Sequence, residues 1–232
     1  MKPLLIIKTG DTYPELAAEF GDYEHWINEG FGELNLPIQV IDPRHGGILP
    51  DIDTIAGVVL TGSDSMVTDR ALWSEELAVW LAKLVKHNTP VLGICFGHQL
   101  LAHALGGEVD FHPQGLELGS VEIQKTPAAT SDMLFKDMPM QFLAQEAHRQ
   151  SVRRLPPNAL LLATNEFETH QAYRVSAYAW GVQFHPEFNR EIAQRYIQRL
   201  ATSLQKDAVQ TEAKIPQAIE SAEAAFLLKT FG

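Results

Sequence analysis

The chain contains the stretch Val91-Leu92-Gly93-Ile94-Cys95-Phe96-Gly97-His98-Gln99, in which a short apolar run gives way to a helical pattern. The apolar run predicts a buried strand, and the helix is expected to begin just after Cys95. Between them, Gly-x-Cys-x-Gly has the spacing of the Gly-x-Ser-x-Gly turn, which exposes a nucleophile between a strand and a helix. A helix N-terminus favours the thiolate form of a cysteine, and the N–H of Phe96 can bind an oxyanion there. These features predict that Cys95 is a nucleophile.

Two other interpretations of Cys95 are open at this point. A lone cysteine is most often a small buried apolar residue, and Cys95 could bind a metal together with His98 and His103. On a helix, however, two histidines five residues apart face different sides, unlike the i, i+4 pair of helical zinc sites. We therefore expect no metal site, and we interpret both histidines as packing or surface residues.

The composition excludes several classes of protein. Of the 232 residues, 45% are hydrophobic and 20% are charged, which is ordinary for a globular domain in water. The formal net charge is −11 and there is no dense basic run, so we expect no nucleic-acid partner. Because no apolar run is long enough to cross a bilayer, we expect no membrane association. The single cysteine excludes an intrachain disulfide, which predicts a cytoplasmic location.

In the first half of the chain, predicted strands alternate with predicted helices. Thr12 is expected to cap a helix, with Glu15 completing a capping box, and a second, clearly amphipathic helix is expected to start at Ser74. The predicted strands cover residues 4–7, 38–41, 57–60 and 91–94. This alternation predicts parallel βαβ units in a doubly wound, mostly parallel α/β sheet of the flavodoxin-like type, flanked by helices.

The second half is dominated by short β-type runs, which lie at residues 121–123, 141–144, 160–163, 171–175 and 178–184. We expect extra strands at the sheet edge and a mixed subsheet, without a separate domain. Asn189 is expected to cap a helix that reaches about Leu204, and an alanine-rich helix should run from about Ile215 to Leu228. We interpret residues 1–232 as a single domain in which residues 210–232 are a C-terminal helical extension. The sequence leaves open whether that extension covers the core, docks a neighbour or closes over the site.

Three small groups of residues directly follow predicted strands, and they include Gly62, Cys95 and His185. In doubly wound folds, ligand sites form at the carboxyl ends of the strands. All three residues are therefore expected on one edge of one sheet.

Two motifs in this order carry a resemblance to a known family. The first is Gly93-Ile94-Cys95-Phe96-Gly97-His98-Gln99, and the second is Gly181-Val182-Gln183-Phe184-His185-Pro186-Glu187, which places His185 90 positions after Cys95. The pair resembles the class I (triad-type) glutamine amidotransferases. It is most similar to stand-alone domains that resemble the glutaminase half of GMP synthase. The resemblance spans nearly the whole chain and implies a class I glutamine amidotransferase-like fold.

The resemblance also implies a catalytic triad. Cys95 matches the nucleophile, His185 the general base and acid, and Glu187 the carboxylate that orients the imidazole. The chemistry agrees, because a Cys–His pair needs a third group on the far ring nitrogen to fix the tautomer. Alternate positions of an extended segment point the same way, so Glu187 can reach His185.

Further residues are matched to the oxyanion hole and to substrate binding. Gly62, Ser63 and Phe96 match the oxyanion hole, although Thr61-Gly62-Ser63 departs from the usual Gly-Gly-Pro pattern. Gln99 matches a residue of the glutamine pocket. The substrate-binding segment, often His-x-Asp-x-Val, is matched by His148-Arg149-Gln150-Ser151-Val152, with Gln150 where an acid is common. The backbone of this segment is expected to hold the α-amino and α-carboxylate groups of the substrate. The resemblance implies no metal or organic cofactor.

The predicted activity is hydrolysis of the γ-glutamyl amide bond of glutamine or a γ-glutamyl compound, through a γ-glutamyl thioester on Cys95. We favour a free-standing hydrolase of a small-molecule substrate. One alternative is an ammonia-supplying glutaminase subunit for a separate synthase. A second is a catalytically silent regulatory or binding domain, against which the intact triad argues. The physiological substrate, the nitrogen acceptor and the oligomeric state are open, with a homodimer among the options.

Overall fold

The computed structural model of the chain describes residues 1–206, with side chains to residue 202, and residues 217–232. Its strands are β1 (Leu4–Ile7), β2 (Ile38–Ile41), β3 (Gly57–Leu60), β4 (Val91–Ile94), β5 (Glu108–Phe111), β6 (Glu117–Lys125), β7 (Gln141–His148), β8 (Gln150–Arg154), β9 (Leu160–Thr164), β10 (Ala172–Val175) and β11 (Ala179–Val182). Its α-helices are α1 (Pro14–Phe20), α2 (Tyr23–Phe31), α3 (Leu72–Lys86), α4 (Phe96–Ala104), α5 (Arg190–Lys206) and α6 (Ala222–Phe231).

One nine-stranded sheet, in the order β2-β1-β3-β4-β11-β10-β9-β6-β7, organises the described part of the chain. Strands β2, β1, β3, β4 and β11 are parallel to one another, and the strands from β10 onward extend the sheet in antiparallel pairing. The four strands of the first half have the bounds predicted from sequence. The predicted α/β class, a doubly wound sheet with extra edge strands from the second half, is confirmed.

Helices cover both faces of the sheet, because alternate residues of its strands point to opposite sides. In β1, Leu4 and Ile6 belong to a core cluster with residues of α2 and α6. Leu5 and Ile7 belong to a second cluster, which contains the apolar stripes of α3 and α4. A short strand buried on both faces is therefore apolar throughout, which is why β1 was recognisable in the sequence.

The antiparallel part differs in detail from the expectation. Strands β6 and β7 are longer than the predicted runs, and β5 and β8 were not predicted at all. The subsheet that they form is an antiparallel pair, β5-β8, and is not mixed. The sequence of β5, Glu-Val-Asp-Phe, is largely exposed, and β8 ends in two exposed arginines. Strands with so little buried apolar surface carry a weak sequence signal.

Two predicted helix starts are wrong. Tyr13 occupies the N-cap of α1 without a side-chain cap, so the capping box of Thr12 and Glu15 does not form. The N–H of Thr12 donates instead to the Asp22 carboxylate at 2.8 Å, and Asp22 caps α2. Helix α3 begins at Leu72, and the hydroxyl of Ser74 donates within the first turn to the carbonyl oxygen of Ala71.

At the C-terminal end one prediction is right and one is wrong. The side chain of Asn189 accepts a hydrogen bond from the N–H of Ile192 at 2.9 Å, which confirms the predicted cap of α5. Helix α6 begins only at Ala222, and residues 217–221 are not helical. The expected start at Ile215 lies outside the described residues. That residues 1–232 form one domain stays our interpretation.

Helix α6 covers the core. It packs against α2 and β7, and Ala224, Leu227 and Leu228 are fully buried in the cluster that contains Leu4 and Ile6. Within the two described ranges, every helix is too short or too polar to traverse a bilayer.

Leu227→Ala tests this packing. Leu227 is 0% exposed, so the substitution is expected to lower the free energy of unfolding by about 2–5 kcal/mol. The neighbouring Phe226 is 45% exposed, and Phe226→Ala should change it by less than about 1 kcal/mol. Urea unfolding followed by circular dichroism measures both. Equal losses would show that α6 does not pack as described.

Candidate active site

Cys95 lies in a strained turn between β4 and α4. Its backbone angles are φ 50° and ψ −102°, a conformation that costs about 1–3 kcal/mol in a non-glycine residue. The flanking glycines are required by close packing. A Cβ on Gly93 would lie 2.4 Å from the carbonyl oxygen of Gly97, and one on Gly97 would lie 2.6 Å from Cβ of Leu60. The predicted elbow is therefore present, and its backbone packs against itself and against β3.

Three adjacent parallel strands bring the predicted residues together. Strands β3, β4 and β11 are neighbours, and Gly62, Cys95 and His185 follow their carboxyl ends. Gly62 lies against the His185 ring, because a Cβ there would be 2.9 Å from Cε1. The predicted convergence on one sheet edge is present.

The imidazole of His185 is oriented by Glu187. Nδ1 of His185 lies 2.7 Å from Oε1 of Glu187, and both side chains are buried. With Nδ1 occupied by the carboxylate, Nε2 is the ring nitrogen left to interact with the Cys95 side chain. Phe188 stacks on the imidazole at 4.2 Å between ring centroids and fixes its plane.

Two opposing effects act on the pKa of His185. Burial lowers it, but the Glu187 carboxylate and the Cys95 side chain together raise it more, and the pKa lies well above its usual range. The cluster therefore favours an imidazolium next to the Cys95 side chain. A Cys–His pair in that ionic form has its thiolate ready for attack.

The loop at Gly62 is fixed by the end of β1, a feature that the sequence did not reveal. The N–H of Thr9 donates to Oγ1 of Thr61 at 2.9 Å, and the Thr9 hydroxyl donates to the carbonyl oxygens of Thr61 and Gly62. Gly10 lets this segment approach closely, since a Cβ there would lie 2.4 Å from Cα of Ser63. Of the three residues predicted for the oxyanion hole, Ser63 and Phe96 line the cavity above Cys95, and Gly62 is not among its described lining residues.

That cavity has a volume of about 120 Å³. Of the predicted substrate-binding residues, Gln99, His148 and Gln150 line it. Ser151 and Val152 are not among its described lining residues. Both are fully buried, and Val152 packs in the core next to β5. Arg149 of the matched segment lines the cavity too, as do Tyr13, Tyr196 and Leu200, which the sequence did not point to.

Hydrogen bonds of the glutamine side chains fix the position of the segment around Gln150. Nε2 of Gln99 donates to the carbonyl oxygen of Gln150 at 2.7 Å and to Oε1 of Gln183 at 3.0 Å. The side-chain amide of Gln150, where the family often has an acid, donates to the hydroxyl of Thr68. The departure from the family pattern is therefore accommodated by a neutral hydrogen bond.

A buried polar cluster lies behind the cavity. The His148 ring nitrogens lie 2.9 Å from the carbonyl oxygen of Gln150 and 2.8 Å from the Glu117 carboxylate. Glu146 is fully buried without a hydrogen-bond partner, and burial and the Glu117 charge hold its pKa well above its usual range. Among the described residues, Glu117, Glu146 and His148 are a group with ligand atoms close enough for a metal.

The histidines of the alternative metal hypothesis have other surroundings. His98 is buried against the ring of Tyr173, with centroids 4.8 Å apart, and burial lowers its pKa to about 3. His103 lies 3.0 Å from Glu75 near the surface. These are the packing and surface roles that the sequence predicted.

Comparison with known proteins identifies the family. A family model described as "Glutamine amidotransferase class-I" matches residues 16–202. The chain is 34% identical over 152 residues to gamma-glutamyl peptidase 4 of Arabidopsis thaliana, covering 65% of this chain and 61% of the peptidase. It is 31% identical over 173 residues to one subunit of the glutamine-hydrolysing GMP synthase of Methanopyrus kandleri, covering 72% of this chain and 84% of that protein. The chain thus matches less than two thirds of the length of the peptidase.

Solved structures show the same fold. A crystal structure of a glutamine amidotransferase from Thermotoga maritima superimposes with a TM-score of 0.75 at 21% identity, covering 100% of this chain and 96% of that one. One from Methylobacillus flagellatus gives a TM-score of 0.71 at 24% identity, covering 100% and 91%.

Glu187→Gln tests the electrostatics of His185. The carboxylate raises the His185 pKa and burial lowers it, so a neutral amide at position 187 should lower the midpoint at which the imidazole titrates. At a given pH, the variant should therefore hold a larger fraction of the neutral ring than the wild type. NMR titration of the histidine Cε1–H resonances measures the midpoint.

Glu76→Gln, at an exposed position of α3, is the matched control and should leave the midpoint unchanged.

Because the folded-state pKa of His185 is raised, the stability that His185 contributes is present below about pH 6.5 and is lost as the pH rises through the folded-state value. Equal midpoints in the wild type and Glu187→Gln would contradict this account.

Proposed function

Because the chain belongs to the class I glutamine amidotransferase family, we propose that it hydrolyses the γ-glutamyl amide bond of glutamine or of a γ-glutamyl compound. The reaction proceeds through a γ-glutamyl thioester on Cys95. The observation that carries the proposal is the buried His185–Glu187 pair, 2.7 Å apart, beside a cysteine held in a strained strand-to-helix turn. In this proposal Cys95, His185 and Glu187 are the catalytic residues.

The proposed first half-reaction forms the thioester. The thiolate of Cys95 attacks the side-chain amide carbon, and the carbonyl oxygen becomes an oxyanion bound by backbone N–H groups of the Gly62–Ser63 loop and of Phe96. One such donor typically contributes about 10²–10³ in rate. The protonated His185 then gives its proton to the leaving nitrogen as the C–N bond breaks. The products are a free amine, or ammonia from glutamine, and the acylated cysteine.

The second half-reaction releases glutamate. His185, now neutral, removes a proton from a water molecule, which attacks the thioester carbon. The C–S bond breaks and the thiolate of Cys95 is restored with an imidazolium next to it. Glu187 keeps the imidazole oriented through both steps. Gln99, His148 and Gln150 would hold the glutamyl end of the substrate.

We favour a hydrolase that acts by itself. The support is that Tyr196 and Leu200 of α5 wall the cavity, so the chain builds this side of its own site without a second protein. The similarity to one subunit of a GMP synthase favours the second candidate, an ammonia-supplying glutaminase that works with a separate synthase. A binding domain without catalytic activity would not need the buried ion pair of His185 and Glu187. A cytoplasmic location belongs to the proposal, because the nucleophilic thiol must stay reduced.

Cys95→Ala tests the mechanism. Without the sulfur no thioester can form, so kcat for release of glutamate should fall at least about 10³-fold. His185→Gln should cause a comparable loss, whereas the matched control His103→Gln, at a histidine that contacts Glu75, should keep most of the activity. Steady-state assays of glutamate and ammonia release from glutamine and γ-glutamyl dipeptides provide the measurement.

The same assay separates the two candidate functions. Turnover of dipeptides well above that of glutamine would support the free-standing hydrolase. Slow turnover of glutamine alone would support the glutaminase that needs a synthase. Activity that is unchanged in Cys95→Ala would refute the proposed mechanism.

A further inference from the structure

The lining of the cavity above Cys95 includes two chemically different groups of residues. The first, which we call the polar side, consists of Gln99, His148 and Gln150, which are linked by hydrogen bonds. The second consists of Tyr13, Tyr196 and Leu200, which present two aromatic rings and an aliphatic side chain. We call these three residues the aromatic wall. Their side chains are half-buried, so they retain surface that a ligand could cover.

The aromatic wall is connected to the imidazole of His185 through a series of ring contacts. Phe188 stacks on His185 at 4.2 Å, Tyr196 packs on Phe188 at 5.3 Å, and Tyr13 packs on Tyr196 at 5.2 Å between centroids. Further contacts fix the two tyrosines. The hydroxyl of Tyr23 lies 3.5 Å from that of Tyr196, and the guanidinium of Arg199 lies 4.9 Å above the ring of Tyr13.

This connection indicates that the leaving group of a substrate, and not its glutamyl end, would face the wall. His185 gives its proton to the leaving nitrogen, so the leaving group must depart on the His185 side of the scissile bond. The wall continues from that same imidazole. The polar side, with its backbone and amide groups, then faces the glutamyl end. Ammonia, the leaving group of glutamine, is too small to contact two tyrosines and a leucine.

We propose that the aromatic wall of Tyr13, Tyr196 and Leu200 is a subsite for the leaving group, and that the substrates are γ-glutamyl dipeptides whose second residue is apolar or aromatic. The inference rests on the proposed function and deepens it. Burying an apolar side chain against aromatic rings is favourable in proportion to the area removed from water. Four charged groups act on Tyr13, of which Asp64 and Glu15 are negative and Arg149 and Arg199 are positive, so the subsite offers no net charge to an ionic side chain.

The experiment compares kcat/KM for γ-glutamylphenylalanine, γ-glutamylalanine and γ-glutamylglutamate. In the wild type, the phenylalanine compound should exceed the other two by about tenfold or more, since a hydrophobic pocket discriminates by about this factor. In Tyr196→Ala and in Tyr13→Ala, the ratio of the phenylalanine to the alanine compound should fall to within about twofold of unity. Tyr196→Phe keeps the ring and should keep the preference. Tyr178→Ala, in the exposed turn between β10 and β11, is the matched control and should also keep it.

Two failures are distinguishable. Cys95-dependent hydrolysis with equal kcat/KM for the three dipeptides, or a preference that survives both alanine variants, would overturn the subsite and leave the proposed function standing. Cys95-dependent hydrolysis of glutamine with none of the dipeptides would likewise overturn the subsite and leave the proposed function standing. If neither glutamine nor a dipeptide is hydrolysed in a Cys95-dependent manner, the proposed function fails. Binding to Cys95→Ala, measured by calorimetry, then decides the subsite. It is supported if the phenylalanine compound binds at least about tenfold more tightly than the alanine compound and Tyr196→Ala removes the difference, and it is refuted if the two bind equally.

Discussion

The turn that carries Cys95 is the constraint on which the rest of the site depends. A positive φ at a non-glycine residue is unfavourable by itself and persists only where the surrounding structure enforces it. Here the enforcement is steric, because the elbow backbone packs directly against its own helix and against β3 through Gly93 and Gly97. This conformation places the sulfur at the N-terminus of α4 and leaves the Phe96 N–H available. The packing of the sheet therefore holds one thiol in a fixed position.

Around this turn, buried polar groups are used in a consistent way. Glu187 orients His185 at the carboxyl edge of the sheet, and Glu117 orients His148 at the cavity. A buried carboxylate next to an imidazole is costly unless the two groups interact, and in both pairs a carboxylate oxygen lies 2.7–2.8 Å from a ring nitrogen. Thr9 fixes the loop at Gly62 through neutral hydrogen bonds. The site therefore consists of side chains whose own positions are each set by a second group, which favours fixed geometry for catalysis.

Much of this could be predicted from the sequence, and the exceptions have physical reasons. Strands buried on both faces, such as β1 and β4, are apolar throughout and stand out, and the elbow glycines have a fixed spacing. By contrast, the exposed strand β5 has no clear pattern. Thr12 does not cap α1, because Tyr13 occupies the N-cap position and the Thr12 N–H donates to Asp22, ten residues later. Tyr13, Tyr196 and Leu200 could not be predicted as cavity residues, because only the tertiary packing of α1 against α5 brings them together. In the sequence, Tyr196 looks like one more apolar residue of the amphipathic helix α5.

Trapping the covalent intermediate tests the central claim most directly. The protein would be mixed with glutamine or γ-glutamylphenylalanine, quenched in acid within the first turnovers, and analysed by intact-mass and peptide mass spectrometry. The account predicts a mass increase of one γ-glutamyl group, located on the peptide that contains Cys95, sensitive to hydroxylamine and missing in Cys95→Ala. Continued turnover with no adduct at Cys95, or with the adduct on another residue, would contradict it.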